Sequence, residues 1–353
     1  MLEESVNENI SCPLPIQHHD KIVLGHGSGG KLTHDLIQRV FFPKLGNRIL
    51  ESGDDSGIID LDSGVKLAIS VDSHVVSPLF FKGGDIGRLA VCGTVNDISM
   101  SGATPLYFTA GFILEEGLDH QILTNVIESM EKAAKEAGVL MVAGDTKVVQ
   151  KGKADGLYIT TTGIGIVPDN VNIRGANARP GDVIILSGTI GDHGIAVLEA
   201  RNELGFTSGI ASDVAPLNKL VSEMLAECNE LHVLRDPTRG GLATTLNEIA
   251  RQSNVCILIE ENRIPVKPPV MAVCEMLGYE PIYMANEGKL IAIVPEKYAA
   301  KLLETMQNNR FGSESVIIGT IIEKPQGKVL LKTQLGTTRV IDMLSGEMLP
   351  RIC

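Results

Sequence analysis

The chain has 353 residues, 44% of them hydrophobic, enough for a large core and, at roughly 100–200 residues per domain, for two domains. Its 31 Lys and Arg against 43 Asp and Glu leave a formal charge of −12. That balance argues against a dedicated nucleic-acid binder and against docking on anionic membranes, both of which need a basic face.

Residues 1–20 are polar and patternless, carry Glu3, Glu4 and Glu8 without a basic start, and read as a mobile extension, not a signal peptide. No apolar run approaches the ~18 residues of a bilayer-spanning helix. From Lys21 strand-like and helix-like segments alternate. Ile22-Val23-Leu24 is a short strand, and a helical stretch opens after Lys31. Lys66 to Val71 is a strand ending at Asp72. A helix is expected over 85–101, closed by Gly102, and a clearer one begins at the capping residue Asp119, with Ile122, Val126, Met130 and Ala137 on one face. Gly138 ends it, and Val139 to Ala143 reads as a buried strand. Tyr158 to Val167 is another strand. The pattern lapses over 168–178, where the domain boundary falls, so that 21–167 and 168–343 are the two domains. The second half offers a strand at 183–187, helices at 216–228 and 241–252, and a strand at 255–259. A hairpin turn at Asn286-Glu287-Gly288, a helix at 296–307 and strands at 316–322 and 328–332 follow. Residues 344–353 form a tail without a regular element. Both halves are α/β or α+β in style.

Gly25-His26-Gly27-Ser28-Gly29-Gly30-Lys31 has the character of a backbone cradle for phosphate, because glycines let amides approach and a helix N-terminus adds positive potential. It nearly matches a P-loop, but Leu32 stands where a hydroxyl must reach Mg²⁺. A flexible glycine loop is the plainer alternative. Acids recur beside turns and strand ends: Asp54-Asp55, Asp72, Asp97, Asp145 and Asp236. Carboxylates so placed gather Mg²⁺ around nucleotide phosphates, though each alone is equally a turn former or helix cap. Asp97 lies in an apolar stretch, where a buried acid needs a partner or a metal. Glu287 is either a hairpin residue or a rigidly held base.

Cysteines stand at 12, 92, 228, 256, 274 and 353, without the close pairing of zinc or disulfide frameworks, which fits a reducing cytoplasm. The last residue is itself a thiol. Nothing follows it, which excludes prenylation, and a thiol on a mobile tail can carry an activated acyl group. Arg351 would favour its thiolate, and Pro350 stiffens the tip.

With these residues in hand, the chain resembles the HypE family of nickel–iron hydrogenase maturation proteins over nearly all of residues 22–353. The resemblance rests on the glycine loop, Val71-Asp72-Ser73, Pro78-Leu79-Phe80-Phe81, residues 111–117, Gly144-Asp145-Thr146-Lys147, Gly191-Asp192-His193-Gly194, Asp236 to Gly241, Ala285-Asn286-Glu287-Gly288-Lys289 and the terminal Pro350-Arg351-Ile352-Cys353. That family sits within the wider group of aminoimidazole ribonucleotide synthetase, selenophosphate synthetase and thiamine-phosphate kinase.

The resemblance implies a two-domain α/β fold that pairs through its N-terminal sheet into a homodimer, with ATP near that interface. It implies nucleotide contacts from residues 25–31, Asn96, Thr146, Thr238, Arg239, Gly240 and Gly241. Mg²⁺ would be held by Asp54 or Asp55, Asp72, Asp97, Asp145 and Asp236. The implied reaction is ATP-dependent dehydration of a carbamoyl group on Cys353 to a thiocyanate, with Glu287 as base and Lys147 and Asn286 assisting. HypF would load the thiol and a HypC–HypD complex would take the cyanide. Loaded tail and bound ATP together are expected to favour an inserted pose, the unmodified tail remaining mobile. A small-molecule kinase needs the acids and the glycine loop but no terminal thiol. A carrier without catalysis needs the thiol but leaves the acids without a purpose. Removing Cys353 and measuring nucleotide binding separate the three.

Overall fold

Asp85 starts the first long helix: its side chain accepts from the amides of Gly87 and Arg88, and the helix runs Ile86–Met100 until Gly102 turns the chain at φ +74°. The structure, a computed structural model, describes residues 21–202, 205, 207–346 and 351–353. The expectations for the extension 1–20 and for Pro350 lie outside the described residues. The helix is buried nearly all round because it lies on one sheet and is also packed by elements of the second half. Asp119 caps the next helix, His120–Ala137, which buries Val126, Met130 and Ala133 against it.

The first sheet has five strands in the order Gly57–Asp60, Lys66–His74, Leu157–Val167, Thr104–Glu115, Leu140–Val149. All neighbours are antiparallel except the last pair. The segment expected as a buried strand at 139–143 is instead the start of the edge strand. Leu140, Met141 and Val142 are exposed there, because nothing among the described residues covers the sheet's last strand.

The second sheet has seven strands in the order Thr338–Ile341, Lys328–Lys332, Cys256–Glu260, Val316–Ile322, Asp182–Leu186, Ile291–Pro295, Val233–Arg235. Its centre is covered on both faces. Ile184 and Leu186 pack with Leu242, Leu246 and Ile249 of the helix Gly241–Gln252, while Val183 and Ile185 pack with Leu220 and Met224 of Asn218–Glu227 and Leu302 and Met306 of Glu296–Asn308. That division follows from the two-residue period of a strand.

Two local expectations fail. Ile22 to Leu24 is no strand; Leu24–Gly27 is a 3-10 turn that leads into the helix Lys31–Leu36. Nor is Asn286-Glu287-Gly288 a hairpin: Pro281–Tyr283 is a 3-10 turn, and an irregular segment runs from it to Ile291. Its conformation is set by side-chain contacts from elsewhere in the chain. No described helix is long and apolar enough to cross a membrane.

Candidate active site

A cleft of about 250 Å³ lies where the glycine loop, the turn 236–241 and the C-terminal residues meet, and Met284 and Ala285, the first residues of the irregular segment 284–290, line it. Asn286 fixes this segment. Fully buried, its Oδ1 accepts from the Gly191 amide at 2.8 Å, and its Nδ2 donates to the carbonyls of Pro237 at 2.8 Å and Met284 at 3.0 Å. The Asn286 amide is therefore spent on backbone groups, which corrects its reading as a catalytic group. Asn96 is likewise redirected. Its Nδ2 donates to the carbonyls of Ala215 and Glu287, and its Oδ1 accepts from Leu217, so its amide is spent on clamping the segment 284–290.

Glu287 is held by its own backbone: its amide donates to Asp213 Oδ1 at 3.0 Å. Gly288 follows because a Cβ there would lie 1.8 Å from the Asp213 carbonyl oxygen. The carboxyl is buried, and Oε1 has no hydrogen-bond partner. Burial, with the charges of Asp72, Asp236 and Asp213, holds its pKa well above the usual carboxylate range against the pull of Arg239.

The acids divide into three groups. Asp55, Asp72, Asp97 and Asp236 form one electrostatic cluster. Burial raises Asp97, and the charges of Asp236, Asp72 and Asp55 raise it further. Burial pushes Asp236 up to about 6. Asp97 accepts from the Ser70 hydroxyl at 2.6 Å. Asp54 points away and accepts from the Gly175 amide at 2.8 Å, so of the neighbouring pair Asp55 belongs to the cluster. Asp145, Thr146 and Lys147 are the third group. They lie exposed on the edge strand, with Lys147 Nζ on Asp145 at 2.5 Å. Register places Asp145 beside Gly111, Thr160 and then Ser73. Two strands thus separate it from the Asp72 strand, roughly 14 Å at ordinary strand spacing. Within one chain these three residues do not join the cleft, which corrects their placement with the other acids.

The sequence offered no signal for Arg235 and Glu248. Arg235, almost fully buried, holds Asp55 through Nε at 2.8 Å and Glu248 through Nη2, and Glu248 pairs with His34 at 3.2 Å. Even so, Asp55 Oδ2 and Asp236 Oδ2 are buried without a partner. Among the described residues no three His, Cys, Asp or Glu side chains form a closed metal cage. Hard carboxylate oxygens with unused lone pairs nonetheless suit Mg²⁺, which ordinarily takes one or two protein carboxylates and fills its remaining positions with phosphate and water.

The glycine loop is folded on itself. The amides of Ser28 and Gly30 make long contacts with Gly25 O and Ser28 Oγ, both at 3.4 Å, while that of Gly29 donates to Thr33 Oγ1 at 3.0 Å. Lys31 donates its amide to the Leu344 carbonyl and its Nζ to Asp342. His26 Nδ1 accepts from the Val23 amide at 3.0 Å. The expected phosphate cradle is thus closed as it stands, since the amides at 28–31 are engaged within the chain. Arg239 spans loop and cleft, donating to Gly27 O at 3.4 Å and facing Asp72 at 3.8 Å. The turn that carries it has Thr238 N on Asp236 O, and Gly240 and Gly241 at φ +74° and +61°. A Cβ on Gly241 would meet the Met284 carbonyl at 2.6 Å.

Cys353 closes the cleft. The chain end lies beside the strand Lys66–His74 and its continuation: Val75 N donates to Cys353 O at 2.8 Å, Ser77 N to Arg351 O at 3.2 Å, and Val76 bridges Ile352. Ile352 is buried with Val76, Phe81, Val214 and Ala285. The thiol end is therefore seated in the cleft by Ile352 and by strand-like hydrogen bonds. This is the inserted pose of the two expected for the tail. Burial, then Glu287 and Asp72, push the thiol pKa up, and Arg239 opposes them. Arg351 pairs with Asp155 instead of serving the thiol, as the sequence had suggested it would.

The chain matches the AIR synthase related protein N-terminal domain over residues 53–167 and the corresponding C-terminal domain over 179–332. It is 53% identical over 328 residues to carbamoyl dehydratase HypE of Azotobacter vinelandii, covering 93% of this chain and 96% of that protein. A solved HypE–HypF complex includes a chain similar to this one at TM-score 0.83 and 47% identity, with 88% of this chain and 99% of that one covered. A solved HypE in complex with ATP gives TM-score 0.79 at 48% identity, with 94% and 100% covered.

Proposed function

The chain belongs to the HypE family of carbamoyl dehydratases, and from that membership we propose that it dehydrates a carbamoyl group carried on its own Cys353. Phosphorylation by ATP drives the reaction, which supplies cyanide for a nickel–iron hydrogenase centre. The observation that carries this reading is the terminal thiol seated in one cleft with Arg239 and the glycine loop, its backbone held by Val75.

The balance is R–S–C(O)NH₂ + ATP → R–S–C≡N + ADP + phosphate. Oxide cannot leave from the carbamoyl carbon. Transfer of the terminal phosphoryl to the carbamoyl oxygen makes the leaving group phosphate. As the C–O bond breaks, both nitrogen protons must go: Glu287 accepts one of them, and the other leaves with the departing phosphate. Its raised pKa makes it a stronger base than an ordinary carboxylate once deprotonated. Arg239 offsets negative charge beside the sulfur. Asp72, Asp97, Asp55 and Asp236 would hold Mg²⁺, which neutralises phosphoryl charge when bound.

The exposed edge strand supports pairing with a second copy, since long apolar edges are ordinarily covered. Such a partner would bring its own Asp145, Thr146 and Lys147 toward the phosphoryl group. In this reading HypF loads the thiol from carbamoyl phosphate, a HypC–HypD complex receives the cyanide, and the setting is the cytoplasm. Mass spectrometry of the C-terminal peptide after incubation with HypF, carbamoyl phosphate and Mg-ATP tests the reaction. Carbamoylated and then cyanated Cys353 is expected; a carbamoyl adduct that persists unchanged with ATP present would overturn it.

A further inference from the structure

The Gly191-Asp192-His193-Gly194 stretch takes no part in the chemistry above, yet it is built around the cleft. Gly191 at φ +85° donates its amide to Asn286, and Gly194 donates to the Ala285 carbonyl at 3.2 Å. Asp192 is buried with Thr189 Oγ1 and Lys267 Nζ, both at 2.7 Å. His193 is fully buried and stands edge-on to Phe81, with centroids 5.4 Å apart. Its Nε2 lies 2.7 Å from the carbonyl oxygen of Ile352, and its Nδ1 lies 2.8 Å from Ser212 Oγ.

We propose that His193 is a positioning residue for the terminal thiol, holding the Ile352 carbonyl so that Cys353 is presented to Glu287. The hydrogen-bond network assigns the tautomer. The Ile352 carbonyl can only accept, and a neutral ring carries one proton, so Nδ1 is left to accept from the Ser212 hydroxyl. Nε2 then carries the proton and donates to Ile352 O. The Ile352 carbonyl is the acyl group of the peptide bond to Cys353, so this contact sits one residue from the reacting sulfur. Ser77 and Val75 hold the backbone on its strand-facing edge, while His193 approaches from the helix Asp192–Ala200. A tail held from both directions has fewer poses than one paired along a single edge. The two hydrogen bonds of His193 go to Ile352 and Ser212, neither of which is assigned to the nucleotide, so its loss should affect docking without weakening nucleotide binding.

The inference rests on Cys353 being the carrier only for its consequence, not for the docking itself, and the measurement separates the two. In the full chain, the rate at which iodoacetamide alkylates Cys353 is followed by mass spectrometry of the C-terminal peptide, with and without His193→Ala. Cys92, Cys228, Cys256 and Cys274 are buried, and the peptide readout removes any contribution from Cys12. Removing one buried hydrogen bond should raise the alkylation rate roughly tenfold. His193→Gln, which can still donate to Ile352 O, should restore most of the protection, and ATP affinity and melting temperature should be unchanged. Single-turnover dehydration of the preloaded chain should fall in parallel with the loss of protection. An unchanged alkylation rate in a folded His193→Ala chain overturns the proposal. If that variant does not fold, Ser212→Ala should still raise alkylation, and an unchanged rate there overturns it as well. Faster alkylation alongside a wild-type chain that never dehydrates upholds the docking role and sinks the dehydratase reading instead.

Discussion

The amide of Lys31 donates to the carbonyl of Leu344 at 2.8 Å, so the glycine loop and the root of the tail form one hydrogen-bonded unit. Gly30 makes this possible, since a Cβ at that position would lie 2.2 Å from the Leu344 oxygen. The group that caps the helix N-terminus here is a carbonyl dipole, the same partner that a phosphate oxygen would replace. Loop and tail therefore share one set of donors.

Gly30→Ala should part them. We expect faster hydrogen exchange over residues 342–346 together with weaker ATP binding, because both depend on the loop's present path. Exchange at the wild-type rate in the variant would show that the tail root does not rest on the loop.

Glu287→Gln should leave loading of Cys353 and ATP binding intact but slow dehydration by roughly 10²–10⁴-fold, the usual contribution of a positioned base. In the wild type, activity should fall as pH drops through the raised Glu287 pKa, above the usual carboxylate range, because the protonated acid accepts nothing. A normal single-turnover rate in the Gln variant would assign the base to another group.

Asp145 and the thiol belong to separate parts of one chain, so a paired enzyme should show complementation. Chains carrying Asp145→Asn and chains carrying Cys353→Ala, each inactive alone, should regain dehydratase activity when mixed and refolded together. Restoration arises because one of the two sites then has an intact thiol and a partner's intact Asp145. Mixed pairs that stay inactive would place Asp145 in service of its own chain's tail. Val142→Lys on the exposed edge should abolish pairing in sedimentation.

The site also sets a pH dependence of stability. Asp55, Asp97, Asp236 and Glu287 have raised pKa values through burial and mutual charge, while His74 and His193 are lowered by burial. A raised acid contributes stability that is complete below its unfolded pKa and is lost as pH rises through the folded value. A lowered histidine contributes stability present above its unfolded pKa and lost as pH falls through the folded value. The folded value of Asp236 is about 6, so the ligand-free chain should lose the contribution of this acid as pH rises from the ordinary carboxylate range through about 6. Mg-ATP should oppose that loss, since the cation favours the ionised carboxylates and stabilises the state it binds. A ligand-free chain that melts higher at the top of that range would contradict this electrostatic picture.

Local signals alone determined much of this protein. The helices begin where Asp85 and Asp119 can accept backbone amides, and they end at glycines free to take positive φ, relations that span only a few residues. The strands at 316–322 and 328–332 and the helix 241–252 follow from short-range periodicity, and the terminal thiol is written in the last residue. Only the tertiary structure decided what each polar group faces. Asn286 and Asn96 carry the right chemistry for a site, but backbone groups distant in sequence use it up. Asp54 and Asp55 are neighbours, yet they diverge because one meets the Gly175 amide and the other Arg235. Lys147 is assigned to an exposed edge by the order in which five strands pair, and His193 reaches the tail because a helix begun at Gly191 ends up opposite residue 352. Hydrogen bonding and burial are settled by approach through space, which no spacing along the chain encodes.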